Sequence, residues 1–360
     1  MKKITRNELS KKYHSSGLAS EILVTTEETL WLPSRFIALN DRIGGGIPYG
    51  RVMELFGEES SGKSLLALDF AYCAQRLGGV VCYLDAEQAF SAHWAEQNGL
   101  RLDQLEMYSE TAVEKISDWW RDMAIFYREK LVNNEPILFI IDSMAALDCE
   151  SNIDSDNIDA KAEMGNRAKA IYKMFRTRNQ MMAELGITTI CINQLRKKVG
   201  ASQFEDPDTT PGGKALAFYA SIRLGLYRGR QLKEKIRGVD RRVGNLTSIR
   251  TIKNKVAPAG DTISKARVYF NPQAGKPMGF YRYEALADTL ISLGIITRKK
   301  GSSYYKCGDE VIANGEDNFM EKIETDSELR QRLIEQSGIN TISKTKKQLK
   351  KLTENFYPVD

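Results

Sequence analysis

The chain has 360 residues, 42% of them hydrophobic and 28% charged, enough for one large domain with one or two smaller ones. No apolar stretch approaches the roughly 18 residues needed to cross a bilayer, and no apolar run follows the charged start MKKITRNELSKKYHSS, so neither a membrane span nor an export signal is read. The formal net charge of +5 is too mild to name a partner, and two histidines, His14 and His93, are too few and too distant for a histidine metal site. Five cysteines (Cys73, Cys82, Cys149, Cys191, Cys307) show no CxxC spacing and read as reduced thiols of a cytosolic protein.

In chain order, residues 1–32 are polar around a small apolar patch (Ile22, Leu23, Val24) and read as an N-terminal arm. From 33 to 270, strand-like runs alternate with helical patterns. The runs are VMELF (52–56), VVCYL (80–84), ILFII (137–141), TTICI (188–192), IRLGLY (222–227), TSIRTIK (247–253) and ARVYF (266–270); helices are expected at about 64–77, 112–131 and 165–185. That alternation predicts an α/β domain with a mainly parallel central sheet. The glycines and prolines of NPQAGKPMG (271–279) mark a boundary. Residues 271–336 then read as a small, mostly helical C-terminal domain with a basic turn at RKKGSSYYK (298–306). Residues 337–360 contain TISKTKKQLKKLTENF (341–356), a basic helix or a frayed tail. Basic residues cluster twice: eleven Lys/Arg against Glu234 and Asp240 between Arg223 and Lys255, and five lysines without an acid at 344–351. Such runs permit a polyanionic partner, although a solvated face is the commoner reason for them.

GEESSGKS (57–64) matches G-x-x-x-x-G-K-[ST] and lies between a strand and a helix, as the phosphate-cradling mechanism requires. Gly57, Glu58, Glu59, Ser60, Ser61 and Gly62 would form the loop whose N–H groups meet phosphate oxygens at a helix N-terminus. Lys63 would reach the β- and γ-phosphates of a nucleotide, and Ser64 would hold Mg²⁺. Asp142 ends ILFIID and is the expected acid near the magnesium, unless it only caps a helix. YLDAEQ (83–88) offers Asp85 and Glu87 for orienting water, each also able to serve as a cap or a surface charge. A further signal is QLRKKVGASQFEDPDTTPGGK (194–214), a loop of some twenty residues after the apolar TTICIN; loops that long in a compact domain are usually functional or disordered.

These pieces, with DAEQAF, IIDSMAAL, the MG of AEMGNRAK, CINQLRKKVG, TTPGGKALAFYASIRL and IKNKVAP, resemble in order and spacing the RecA family of homologous recombinases, from about residue 33 to about 336. The resemblance implies a RecA-type P-loop NTPase core with a short N-terminal arm and a small C-terminal α/β domain. It implies a DNA-dependent ATPase that uses ATP and Mg²⁺, polymerises on single-stranded DNA with ATP at protomer interfaces, and exchanges strands with a homologous duplex. By the same likeness Glu87 would activate water, Trp94 would stack on the adenine and Gln194 would sense the γ-phosphate. Lys253 and Lys255 would reach a neighbour's ATP, although exposed lysines on an edge strand need no such reason.

The DNA loops would be 149–165 and 195–213. Met164 and Phe204 would wedge between bases, Gly165 would lie at the DNA beside Met164, and Gly212 and Gly213 would admit phosphates close to the backbone. Lys169, Arg176, Arg196 and Lys214 would meet phosphate charge. Phe204 also has the alternative of tucking its loop onto the core. Single-strand binding and loader proteins are further expected partners, and the expected compartment is the bacterial cytosol, or that of a host if the protein is phage-encoded.

Four features depart from the family pattern, one of them an N-terminal arm that reads as only weakly helical. The first loop carries Glu150, Asp154, Asp156, Asp159 and Glu163 against Lys161; Ser91 stands where family members often have an adenine-contacting aspartate; and the C-terminus is basic where an acidic tail is usual. A non-exchanging relative that regulates another recombinase would lack reason to keep Glu87, both lysines and the loop glycines. A helicase motor on the same core would usually present an arginine in place of IKNK. A passive single-strand binder would have no use for the phosphate loop, and a metabolic kinase would need a residue set for a small acceptor.

Overall fold

A computed structural model describes residues 29–153, 160–197, 208–258, 262–271 and 275–356. The chain divides into two units, residues 1–30 and 31–360, and the second holds all the elements named here. Its central sheet has nine strands, numbered in chain order: β1 Val52–Gly57, β2 Val80–Asp85, β3 Leu105–Tyr108, β4 Ile137–Asp142, β5 Ile187–Gln194, β6 Ile222–Ile236, β7 Val239–Asn254, β8 Ile263–Tyr269 and β9 Gly279–Tyr281. Their order is β9-β8-β7-β6-β1-β5-β4-β2-β3. From β6 to β3 every pairing is parallel, and from β6 to β9 every pairing is antiparallel. The α/β class with a mainly parallel sheet is therefore the fold observed, with an antiparallel extension on one side.

The parallel strands are continuous apolar runs because helices cover both of their faces. β1 is buried throughout, and β4 is buried up to its last residue. On the helix Val113–Lys130, the residues Val113, Ile116, Trp120 and Ala124 recur at helical spacing and form its buried face. Trp120 there meets Phe139 of β4 and Phe175 of the helix Ala160–Glu184, ring centroids 6.2 and 5.7 Å away. The parallel arrangement has one consequence for chemistry: it aligns the carboxyl ends of the strands. Asp85 pairs in register with Asp142, and Gly57 with Gln194, so the sequence-predicted residues stand along one rim of the sheet.

Four stretches differ from the sequence expectation. β3 and β9 were not expected, because LEMY is short and partly exposed and GFY lies in a Gly/Pro-rich stretch. The runs at 222–227 and 247–253 are halves of one long hairpin whose outer part is mostly exposed; it closes over Arg237 and Gly238, both at positive φ (52° and 80°), the conformation that suits the twist of a two-residue turn. The basic turn at 298–306 already contains a strand, Tyr304–Cys307, paired with Glu310–Asn314. That small hairpin packs with the helices Arg282–Ser292, Glu316–Thr325 and Ser327–Ser337 around Leu286, Leu290, Phe319, Ile323 and Leu333.

The end of the chain is a helix, Ile342–Phe356, entered through a buried polar joint. Asn340 Nδ2 donates to Gly45 O (2.9 Å), Asn40 Nδ2 to Asn340 O (3.1 Å), and Thr345 Oγ1 to Trp31 O (3.1 Å). A basic segment read as helix or frayed tail is thus fastened to the core at its start. Among the described residues, no helix is long and apolar enough to cross a membrane.

A candidate nucleotide site beside two loops

The phosphate loop follows β1 and opens the helix Lys63–Arg76. A Cβ on Gly57 would lie 2.1 Å from Leu226 O on β6, so only glycine lets the two strands meet there. Gly62, at φ 96°, takes the left-handed conformation that turns the loop into the helix. Ser61 Oγ is buried and, among the described residues, without a hydrogen-bond partner. Lys63 Nζ donates to Gly57 O (3.1 Å) and Glu58 O (2.8 Å), lying across the loop where phosphate oxygens would compete for it. Burial lowers the pKa of Lys63, and the charges of Asp142 and Glu87 work against that shift.

Ser64 Oγ donates to Asp142 Oδ2 (2.8 Å), and the Tyr83 hydroxyl donates to the same oxygen (2.6 Å). The Ser64–Asp142 separation is close to the edge of about 2.9 Å that an octahedron with 2.0–2.1 Å metal–oxygen bonds requires. A hydroxyl and a carboxylate so placed fit magnesium. Burial pushes the Asp142 carboxyl above its ordinary pKa, while its bonds to Tyr83 and Ser64 pull it down. Two opposite pH trends are expected as a result. The ionised form is the costly one in the folded metal-free protein, so this group's stabilising contribution is present at low pH and is lost as the pH rises through the raised pKa. Magnesium needs the ionised form, so the Mg²⁺ concentration that half-fills this pair should rise as the pH falls, starting above the ordinary carboxylate range. Magnesium titrations at successive pH values, run beside Asp142→Asn, check this; a midpoint as pH-dependent in the variant as in the parent would sink the assignment.

Next to this pair lies a second carboxylate. Glu87 Oε1 accepts hydrogen bonds from Ser143 Oγ and from Gln194 Nε2 (3.3 Å). The three residues sit just beyond β2, just beyond β4 and at the end of β5, so the strand order itself assembles them. Asp85 is occupied elsewhere: its carboxylate caps the turn at Ala89 N and Phe90 N, both at 3.0 Å. Of the two acids in YLDAEQ, it is Glu87 that faces the cavity.

That cavity, of about 650 Å³, is within the size range of small-molecule sites, and it runs from Ser60–Ser64, Glu87 and Asp142 to Phe90, Trp94, Arg242, Val268 and Phe270. Ser91 Oγ accepts from Trp94 N (3.3 Å) as a helix cap. The Arg242 guanidinium stands 5.1 Å from the centre of the Phe270 ring. Sequence reasoning did not single out Tyr83, Ser143, Arg242 or Phe270. Ser143 had a signal, its place directly after Asp142; Arg242 and Phe270 had none, because they reach the cavity only through the antiparallel extension.

The remaining sequence-predicted residues that the structure describes stand apart from the cavity. Lys253 Nζ donates to Ala217 O (2.7 Å) and Phe218 O (3.0 Å), Lys255 is exposed, and neither is among the described residues lining the cavity. Gly165, Lys169 and Arg176 are exposed on the helix Ala160–Glu184. Met164 belongs to the same helix, but its side chain lies outside the description, as do Phe204, Asp154, Asp156 and Asp159 as whole residues. The base of the second loop is a two-residue ladder, Arg196 opposite Thr209 and Lys197 opposite Asp208. On its return, Gly212 and Gly213 (φ 89° and 71°) pass so close to that helix that a Cβ on either would lie 3.3 Å from Ile171 or Ala168. Lys214 follows, exposed. The helix after the first loop and the return of the second therefore lie side by side.

A family model for the RecA N-terminal domain matches residues 11–271. The chain is 34% identical over 299 residues to Protein RecA of Rubrobacter xylanophilus, covering 82% of this chain and 80% of that protein. It is 34% identical over 313 residues to Protein RecA of Porphyromonas gingivalis, covering 86% and 85%. Against Protein RecA of Tropheryma whipplei the identity is 35% over 289 residues, which is 80% of this chain but 61% of that longer protein.

Proposed function

Because the chain belongs to the RecA family of recombinases, we propose that it is a DNA-dependent ATPase that polymerises on single-stranded DNA and exchanges strands with a homologous duplex. The observation that carries this reading is the contact of Gln194 with Glu87, at the end of the strand from which the long loop departs. A change at the phosphate end of the cavity is thereby one residue away from the loop that would hold DNA.

In this reading the loop 57–64 binds the phosphates of ATP, with Lys63 leaving its two carbonyls for phosphate oxygens. Magnesium, held by Ser64 and Asp142, would neutralise charge on the β- and γ-phosphates. Glu87 orients the attacking water and takes up its proton, and Ser143 and Gln194 fix the carboxylate. Trp94 and Phe270 hold the base between apolar faces. Lys253 and Lys255 complete the ATP site of a neighbouring protomer. Lys169, Arg176, Arg196 and Lys214 meet DNA phosphates, Gly165, Gly212 and Gly213 admit the backbone, and Met164 and Phe204 open the base stack, so that pairing and not the protein reads sequence.

The same reading assigns residues 1–32 to polymerisation, 33–270 to the motor with its DNA loops, 271–336 to duplex capture through Arg298, Lys299, Lys300 and Lys306, and 337–360 to a basic extension. Single-strand binding and loader proteins are its expected helpers. ATP hydrolysis measured with and without single-stranded DNA, followed by strand exchange between a circular single strand and a linear homologous duplex, tests it. DNA-stimulated hydrolysis together with exchange is the expected result. Stimulated hydrolysis without exchange would instead point to a regulatory relative, and an unstimulated rate would sink the proposed link between loop and site.

A further inference from the structure

Glu54 is a carboxylate in the middle of β1, three residues before the phosphate loop and fully buried (0% exposed). An ionised group there is costly unless each of its oxygens is satisfied. Both are: Oε1 accepts from Asn193 Nδ2 (3.1 Å) and Oε2 from Arg223 Nε (2.5 Å). The partners lead in three directions. Asn193 Nδ2 also donates to Pro211 O (3.1 Å), at the return of the long loop and just before Gly212. Asn193 Oδ1 accepts from the backbone N–H of Gln194 (3.0 Å). Arg223 lies opposite Lys253 in the β6–β7 register, and its guanidinium is 5.1 Å from the centre of the Phe56 ring.

We propose that Glu54 is a positioning residue: it clamps the Asn193 amide so that movement of the loop return at Pro211 is passed to Gln194, and so couples DNA binding to nucleotide binding. The proposal rests on the function assigned above. The Asn193 amide is planar and is held at both ends, its nitrogen by Pro211 and Glu54 and its oxygen by Gln194. With Glu54 fixing the nitrogen, a shift of Pro211 tilts the whole amide and carries the Gln194 N–H with it. Without that anchor the amide can rotate about its own torsions, and the displacement ends there. The Arg223 ion pair holds the Glu54 carboxylate in place and sets it beside the strand that bears Lys253.

The test measures the coupling factor, the ratio of affinities for a fluorescein-labelled oligo(dT) in the β,γ-imido analogue of ATP and in ADP. Linkage requires DNA to raise the affinity of the analogue, relative to ADP, by that same factor, so it is read from both sides. The variants are Glu54→Gln, which keeps shape but turns an acceptor into a donor facing donors, and Glu54→Gln/Arg223→Met, which removes both charges and keeps the test available if the single variant fails to fold. The expected result is a factor of about five or more in the parent and within about twofold of 1 in the variants, with affinity for the analogue in the absence of DNA retained. A purely structural role would lower Tm and leave the factor intact; that outcome in a folded variant overturns the proposal. A factor near 1 in the parent would remove the functional reading itself, and the coupling role with it.

Discussion

Glu87→Gln is expected to lower DNA-stimulated ATP hydrolysis by about 10²–10⁴-fold while binding of ATP and of single-stranded DNA persists. The substitution keeps the shape of the side chain. Its amide oxygen can still accept from Ser143 Oγ and from Gln194 Nε2, the two bonds that hold Glu87 in place. What is lost is the charge and basicity needed to orient water and take its proton. In the proposed function nucleotide binding rests on other groups, the loop 57–64 with Lys63, Ser64 and Asp142. Rates under saturating ATP and DNA, with fluorescence polarisation for DNA binding, separate the two effects. A variant hydrolysing at a rate close to that of the parent would move the catalytic role away from Glu87. The other acid of the same turn is a poor substitute, since both oxygens of Asp85 are committed to backbone N–H groups.

The second large effect concerns Lys253. Its ammonium group is held by the carbonyls of Ala217 and Phe218, and it does not line its own chain's cavity. Burial and the neighbouring cations Lys255 and Arg223 lower its pKa, so the protonated form is under pressure to find an anion. If it completes a neighbour's site as an arginine finger does, Lys253→Ala should cost about 10³-fold in hydrolysis, with little change in ATP binding by the isolated protomer. A sharper test mixes the Lys253→Ala and Glu87→Gln proteins. In a head-to-tail polymer each site takes its carboxylate from one protomer and its lysine from the next, so random equal mixing should restore activity to about a quarter of the sites. If the mixture does no better than the average of the two inactive proteins, the sites lie within single protomers and the interface assignment falls.

The Glu54 carboxylate shows how differently the two levels of description treat one residue. In VMELF it is a polar interruption of a strand, with nothing to separate it from a surface charge. In the fold it is the deepest charge near the site, reached by Asn193 across 139 residues and by Arg223 across 169. The hairpin 222–254 is a second case: its charges were legible as a basic cluster, but not as an arm whose inner half brings Asn245 and Thr247 onto the phosphate loop, at Ser60 O and Ser61 O. Its neighbour β8 is what brings Phe270 into the cavity.

Sequence alone determined the phosphate loop, the strand ends at Asp142 and Gln194, the alternating α/β pattern and the family. Each is carried by contiguous residues: a loop that binds phosphate needs consecutive N–H groups, and a buried parallel strand needs an unbroken apolar run. Tertiary structure alone decided that Asp85 is spent on capping its own turn, that Gln194 touches Glu87 across 107 residues, and that Glu54 joins Asn193 to Arg223. These contacts depend on β1 lying between β5 and β6, and on β4 separating β5 from β2. That lateral order is set by how helices pack over the sheet, and local periodicity carries no record of it.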